Sequence, residues 1–128
     1  MRTLIYFFIT LLCMSCIQTR STKVEDDILL VDIIGAYIGN LPCVDCECIN
    51  TILHLEKDHS YKLTYMYEGK SNEEFVKEGT WKVNKDELVL NGLDYKYHIE
   101  HDHLKQLDLS GEIILGDLAE QYQMSKIK

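Results

Sequence analysis

The sequence predicts an all-β protein, a small antiparallel β-barrel of about eight or nine strands. From Asp32 onward, apolar and polar residues alternate in short runs, and no segment shows a sustained helical period. Turn-forming groups separate the runs, among them Lys57-Asp58-His59-Ser60, Lys85-Asp86, Asn91-Gly92 and Ser110-Gly111. So many short strands leave many edges to satisfy, and closure pairs them all. A flattened sandwich is the architectural alternative.

Ile34–Ile38 is expected to open the sheet, with Gly35 and Gly39 allowing a bend or a close backbone approach. Pro42 biases Leu41 toward extended backbone and defines entry into a non-strand segment. Asn50–Glu56 then places Ile52 and His54 on one face and Thr51, Leu53 and Leu55 on the other. Tyr61–Tyr67 sets Tyr61, Leu63, Tyr65 and Tyr67 toward the interior, opposite Lys62, Thr64 and Met66. Glu68–Glu74 reads as a hairpin loop, and Phe75–Asn84 as a strand with Trp81 and Val83 on one parity and Gly79 as a bulge or close approach.

Leu88–Leu90 follows. Asn91-Gly92 is the strongest hairpin signal, because both residues tolerate the positive φ of a type I′ turn. Tyr95, Tyr97 and Ile99 form one face of the next strand, and His101-Asp102 turns the chain into Leu104–Leu109. Glu112–Leu115 is expected as a further strand. The last piece, Leu118–Ile127, is ambiguous between a helical turn and a strand, and Gln121–Ile127 is taken as the closing strand.

Residues 1–15 read as a signal peptide: Arg2 precedes the apolar run Leu4–Leu12, which is too short for a spanning helix of about 20 residues. Ser15-Cys16 fits a lipoprotein processing site, with Cys16 as the lipid acceptor, whereas Cys13 follows the large Leu12. Two or more acyl chains give stable anchoring that one cannot. Residues 16–31 then form a polar tether, and 32–128 form the domain. The net charge of −8 becomes one unit more negative once Arg2 is removed, which argues against a nucleic-acid groove. There is no room for a second enzymatic domain, and no glycine-rich phosphate loop occurs.

The informative chemistry is Leu41-Pro42-Cys43-Val44-Asp45-Cys46-Glu47-Cys48. In an oxidising envelope compartment these cysteines staple a loop, through Cys43–Cys46 or Cys43–Cys48, or work as a dithiol. A catalytic thiol wants a depressed pKa, and the carboxylates of Asp45 and Glu47 work against it. Kept reduced, Cys43, Cys46 and Cys48 offer three soft sulfurs suited to Cu(I); zinc would need a fourth ligand that nothing local supplies. No catalytic residue is nominated. His98, His101 and His103 form a weaker metal candidate around a turn, with His98 and His103 facing each other across a hairpin and Glu100 or Asp102 assisting. Solvated turn histidines are the plain alternative.

The motif Gly39-Asn40-Leu41-Pro42-Cys43-Val44-Asp45-Cys46 resembles the Gly-x-Leu-Pro-Cys-x-Asp-Cys opening of NlpE-type copper-resistance lipoproteins. Ile49, Thr51, Leu53 and Leu55, then Tyr61, Tyr67 and Gly69, then Gly79-Thr80-Trp81, and then Leu104, Leu107-Asp108 and Gly111 recur at similar intervals. The resemblance implies a lipocalin-like barrel on a lipidated tether at the outer membrane, periplasmic or surface-facing. It also implies roles in copper tolerance and envelope-stress sensing, with an envelope sensor protein as partner. The family's cysteine pair falls on Cys43 and Cys46, and Cys48 stands where glycine is usual. A second domain with another cysteine pair, present in some members, has no room in 128 residues.

The leading expectation is thus a non-enzymatic envelope lipoprotein handling copper or redox state through its CxxC loop, with membrane lipid and copper or a sensor as partners and no nucleic acid. Cu(I) is the one cofactor the residues would accept. A lipocalin-like module for a small hydrophobic ligand and a thiol-disulfide oxidoreductase are the alternatives.

Overall fold

The computed structural model describes residues 32–128. The signal peptide, the tether and Cys16 lie outside the described residues. Eight antiparallel strands close into a barrel in chain order: β1 (Gly35–Leu41), β2 (Cys48–Leu55), β3 (Ser60–Glu68), β4 (Glu74–Asn84), β5 (Glu87–Leu90), β6 (Tyr95–Ile99), β7 (His103–Gln106) and β8 (Gln123–Lys126). Every neighbour is the next strand in sequence, and β8 returns to pair with β1 through Tyr37↔Lys126 and Ile38↔Ser125. The closure expected from edge counting is therefore the architecture found.

Alternation dictates the interior. Thr51, Leu53 and Leu55 of β2 and Tyr61 and Leu63 of β3 are buried, and the register sets Leu53 opposite Leu63. Trp81, Leu88, Leu90, Tyr97, Leu104 and Met124 continue the core around the barrel. Ile33 covers one end, where its carbonyl accepts a hydrogen bond from the Tyr37 hydroxyl at 2.8 Å. Trp81 is held by its Nε1–H on the Glu56 carbonyl at 3.2 Å, and His59 stacks on its ring at 4.3 Å. Satisfying the indole N–H is what allows so large a side chain to be buried.

Three details differ from expectation, and at Gly79 one of two expected roles is the one found. Glu112–Leu115 is not a strand: Leu107↔Ile113 is a lone bridge, and Ile113 and Leu115 are exposed. The Asp108 carboxylate accepts the amides of Ser110 and Glu112, both at 2.9 Å, and holds a turn where a ladder would otherwise run. Correspondingly β7 stops at Gln106, and Ala119–Gln121 is a 3-10 turn before β8. The β5–β6 loop covers Asn91–Asp94, with positive φ at Gly92 and Asp94 but not at Asn91, so it is longer than a type I′ turn. Gly79 is not bulged. It pairs in register with Tyr61, and a Cβ there would lie 2.9 Å from the Tyr61 ring, so close approach is its role.

Candidate functional site

β1 carries the chain outward to Leu41, where Pro42 ends the ladder, and β2 begins only at Cys48. The intervening loop holds a disulfide between Cys43 and Cys46, with Cα atoms 5.4 Å apart. Of the pairings the spacing permits, this one leaves Cys48 as a free, half-buried thiol. Ile49 and Thr51 line the barrel interior, so alternation turns Cys48 to the outer face of β2.

The loop is fastened to the β3–β4 turn. The Glu47 amide donates to the Glu68 carbonyl at 2.9 Å, and the Lys70 ammonium forms an ion pair with the Asp45 carboxylate. Gly69, at φ 79°, lets Glu47 pass, since a Cβ there would lie 2.8 Å from the Glu47 side chain. The hydrogen bond from Lys70, with its charge, holds the Asp45 carboxyl below the usual carboxylate range, and Asp45 correspondingly raises Lys70. Both groups are largely solvated, so the pair positions the loop more than it stabilises the fold. Sequence reading missed Lys70, and it named Gly69 without its role beside Glu47. Their only signal is the β2–β3 register, which sets Cys48 opposite Glu68.

One sulfur from each of Cys43 and Cys46 and one carboxylate oxygen of Asp45 lie within 4.8 Å of one another. Cys48 does not join that trio. As a disulfide, the two sulfurs have no thiolate to offer a metal; opened, they would form a soft two-sulfur set compatible with Cu(I). Catalytic thiol exchange is poorly served here. The loop leads into a strand, where an activating helix N-terminus would be wanted, and the nearby cation Lys70 is already engaged by Asp45.

The histidines are not assembled. The register sets His98 opposite Lys105 and Ile99 opposite Leu104, so His98 and His103 do not face each other. His98 Nδ1 lies 3.4 Å from Asp86, while His103 sits between Glu100 and Asp102, and His101 is exposed. The Asp102 hydrogen bond raises the His103 pKa, aided by the charges of Glu100 and Asp102. Among the described residues the cysteine loop is the one compact donor group.

A second feature borders this loop. One end of the barrel interior opens to solvent as a cleft of about 200 Å³ that reaches Leu41 and Pro42, immediately before Cys43. The inward tyrosines expected as core are divided: Tyr61 and Tyr97 are buried, while Tyr65 and Tyr67 line the cleft with half-exposed rings.

Residues 37–117 match the family described as NlpE N-terminal domain. The chain is 41% identical over 81 residues to lipoprotein NlpE of Escherichia coli K12, a match covering 59% of this chain and 34% of that protein. A crystal structure of a candidate lipoprotein from Shewanella oneidensis superposes with a TM-score of 0.69 at 36% identity, covering 74% of this chain and 89% of that one. The crystal structure of the Cpx pathway activator NlpE from Escherichia coli gives a TM-score of 0.60 at 36% identity, covering 66% of this chain and 46% of that one. The chain spans about a third of the length of the curated relative it matches.

Proposed function

We propose that this chain, which belongs to the NlpE N-terminal domain family, is a lipid-anchored bacterial envelope protein acting in copper or redox homeostasis or in envelope-stress sensing. The observation that carries the reading is the exposed loop in which the sulfurs of Cys43 and Cys46 and the Asp45 carboxylate converge within 4.8 Å. A dithiol reductant of the envelope would open the disulfide: two electrons and two protons pass to Cys43 and Cys46, and the donor leaves as its own disulfide. The two thiols would then release their protons and together hold one Cu(I) ion. Cys48 is the third sulfur within reach of a rearranged loop. Because Lys70 already neutralises Asp45, the second thiolate forms beside a balanced carboxylate instead of a bare one.

Acylation of Cys16 would hold the domain beside the outer membrane, and an envelope sensor protein is the partner that would read the loop's state. The relative named for activating the Cpx pathway supports a signalling role of this kind. The test is Cu(I) titration of the reduced protein against a competing chelator. Cys43→Ser/Cys46→Ser is expected to abolish tight binding, and Cys48→Ser to weaken it. Undiminished affinity after serine replacement of all three cysteines overturns the site. Intact mass of the membrane-extracted protein, read with and without reductant, checks the acyl chains and the disulfide together.

A further inference from the structure

We infer that the first half of β4, Glu74–Gly79, is a self-association edge that pairs antiparallel with the same stretch of a second copy of this chain, about a two-fold axis at Phe75. The barrel closes, but β4 outruns its neighbour. β4 has 11 residues and β5 has 4, and the two pair only from Trp81↔Leu90 to Asn84↔Glu87. A bond from the Asn91 amide to the Thr80 carbonyl at 2.8 Å ends that ladder. From Glu74 to Gly79 the strand pairs with β3 alone. Alternation gives the direction of the free groups. Thr80 turns its carbonyl to the β5 side, and Trp81 turns its amide to the His59 carbonyl on the β3 side, so the backbone groups of Glu78, Val76 and Glu74 point along the free edge. Among the described residues none of these groups has a backbone partner there. Val76 is 47% exposed, and Glu74, Lys77 and Glu78 are exposed beside it. A strand edge left open in this way is a template for another strand.

Charge selects the occupant and the register. A two-fold axis beside an antiparallel edge keeps every side chain on its own face of the extended sheet, so residues of like parity stand opposite one another and the axis passes through a residue. Centred on Glu74 or Glu78, it sets that carboxylate against its own copy; centred on Val76, it sets Glu74 against Glu78 twice; centred on Lys77, it opposes two ammonium groups. Phe75 is the one centre in this stretch that opposes no like charges. There Glu73 stands opposite Lys77 of the second copy on both sides of the axis, Phe75 meets its own copy, and Glu74 and Val76 exchange backbone hydrogen bonds. Glu73 and Lys77 are exposed, and neither has an ion pair among the described residues. Phe75 already stacks on Tyr65 at 5.3 Å and meets Tyr67 edge-on at 5.7 Å, so its pairing extends an existing aromatic cluster. The barrels do not collide, because in this register Thr80, where the β5 side begins, comes level with Lys70 in the β3–β4 turn of the second copy, and the two bodies lie beyond opposite ends of the paired stretch.

This edge uses no sulfur and stands apart from the copper chemistry. Unlabelled and isotope-labelled full processed protein are mixed in detergent with micelles in excess and treated with a carbodiimide, which joins a carboxylate to an amine in contact with it. A Glu73–Lys77 cross-link between peptides of different label is expected, with sedimentation showing a monomer–dimer equilibrium at about micromolar concentration, as suits an interface this small. Val76→Pro, whose lost N–H faces away from β3, is expected to keep the barrel and weaken dimerisation about tenfold or more. Lys77→Glu is expected to weaken it likewise, and Glu73→Lys/Lys77→Glu to restore it. A protein that stays monomeric at about 100 μM overturns the assignment. So does a dimer indifferent to both Val76→Pro and Lys77→Glu, or one lost on Cys48→Ser, which would be a cross-link through the free thiol. If Trp81 fluorescence shows that Val76→Pro does not fold, the charge reversal and its rescue decide the matter.

Discussion

Gly39 is the position where the barrel's closing seam is most open to challenge. It lies on β1 next to Ile38, which pairs with Ser125 of β8, and a Cβ there would sit 2.5 Å from the Gln123 carbonyl oxygen and 2.8 Å from Met124 Cγ. The nearer contact is backbone of the partner strand, so no rotamer change relieves it. Gly39→Ala must therefore push β8 away from β1 or strain both. Overpacking of this kind costs about 1–3 kcal/mol. Alanine returns about 0.4–1 kcal/mol by stiffening the unfolded chain. With the middle of each range the net loss is about 1.3 kcal/mol, or about 5–10 °C in Tm for a domain of this size. Urea unfolding followed by the protein's single tryptophan, the buried Trp81, reads the change directly. The midpoint should fall with the m-value unchanged. Gly92→Ala is the comparison: nothing lies within 4 Å of its Cβ, and its φ of 92° alone imposes strain of about 1 kcal/mol. Gly39→Ala at wild-type stability would refute the claim that backbone crowding at this seam requires glycine.

The disulfide closes a loop so short that its removal by Cys43→Ser/Cys46→Ser should cost at most about 2 kcal/mol, with near-UV circular dichroism retaining the barrel's signature; a molten spectrum would contradict this. His103, whose pKa is raised above its ordinary 6.5, contributes stability that is full below pH 6.5 and lost as pH rises through its folded value. Asp102→Asn should bring the His103 imidazole titration down in NMR and flatten that pH dependence. Asp102, lowered below its ordinary 3.8 by the same hydrogen bond, contributes above 3.8 and loses that contribution as pH falls through its folded value. Lys70→Met should return the Asp45 carboxyl toward its ordinary range by NMR titration and leave the urea midpoint unchanged, because both groups are exposed.

Much of the barrel was legible because a period of two survives closure unaltered. Residues such as Leu53, Leu63 and Tyr97 declare their face by alternation alone, and Pro42 declares where β1 must end. The same logic failed at Glu112–Leu115, where Asp108 captures local amides and removes the backbone groups a ladder would have used. It also failed for His98 and His103, since residues flanking a turn face each other only if the register permits it, and here the pairing sets Ile99 against Leu104.

What the amino-acid order by itself determined is the class of fold, the inward face of each main strand and the clustering of sulfurs in one loop, all consequences of neighbours along the chain. Only the tertiary structure decided that Lys70 anchors Asp45, that Cys48 stays outside the sulfur–carboxylate trio, and that tyrosines of β3, β6 and the β7–β8 connection meet around one cleft. Those relations depend on stagger between strands and on the closure of β8 against β1, and contacts across a closed sheet are set by where distant segments meet.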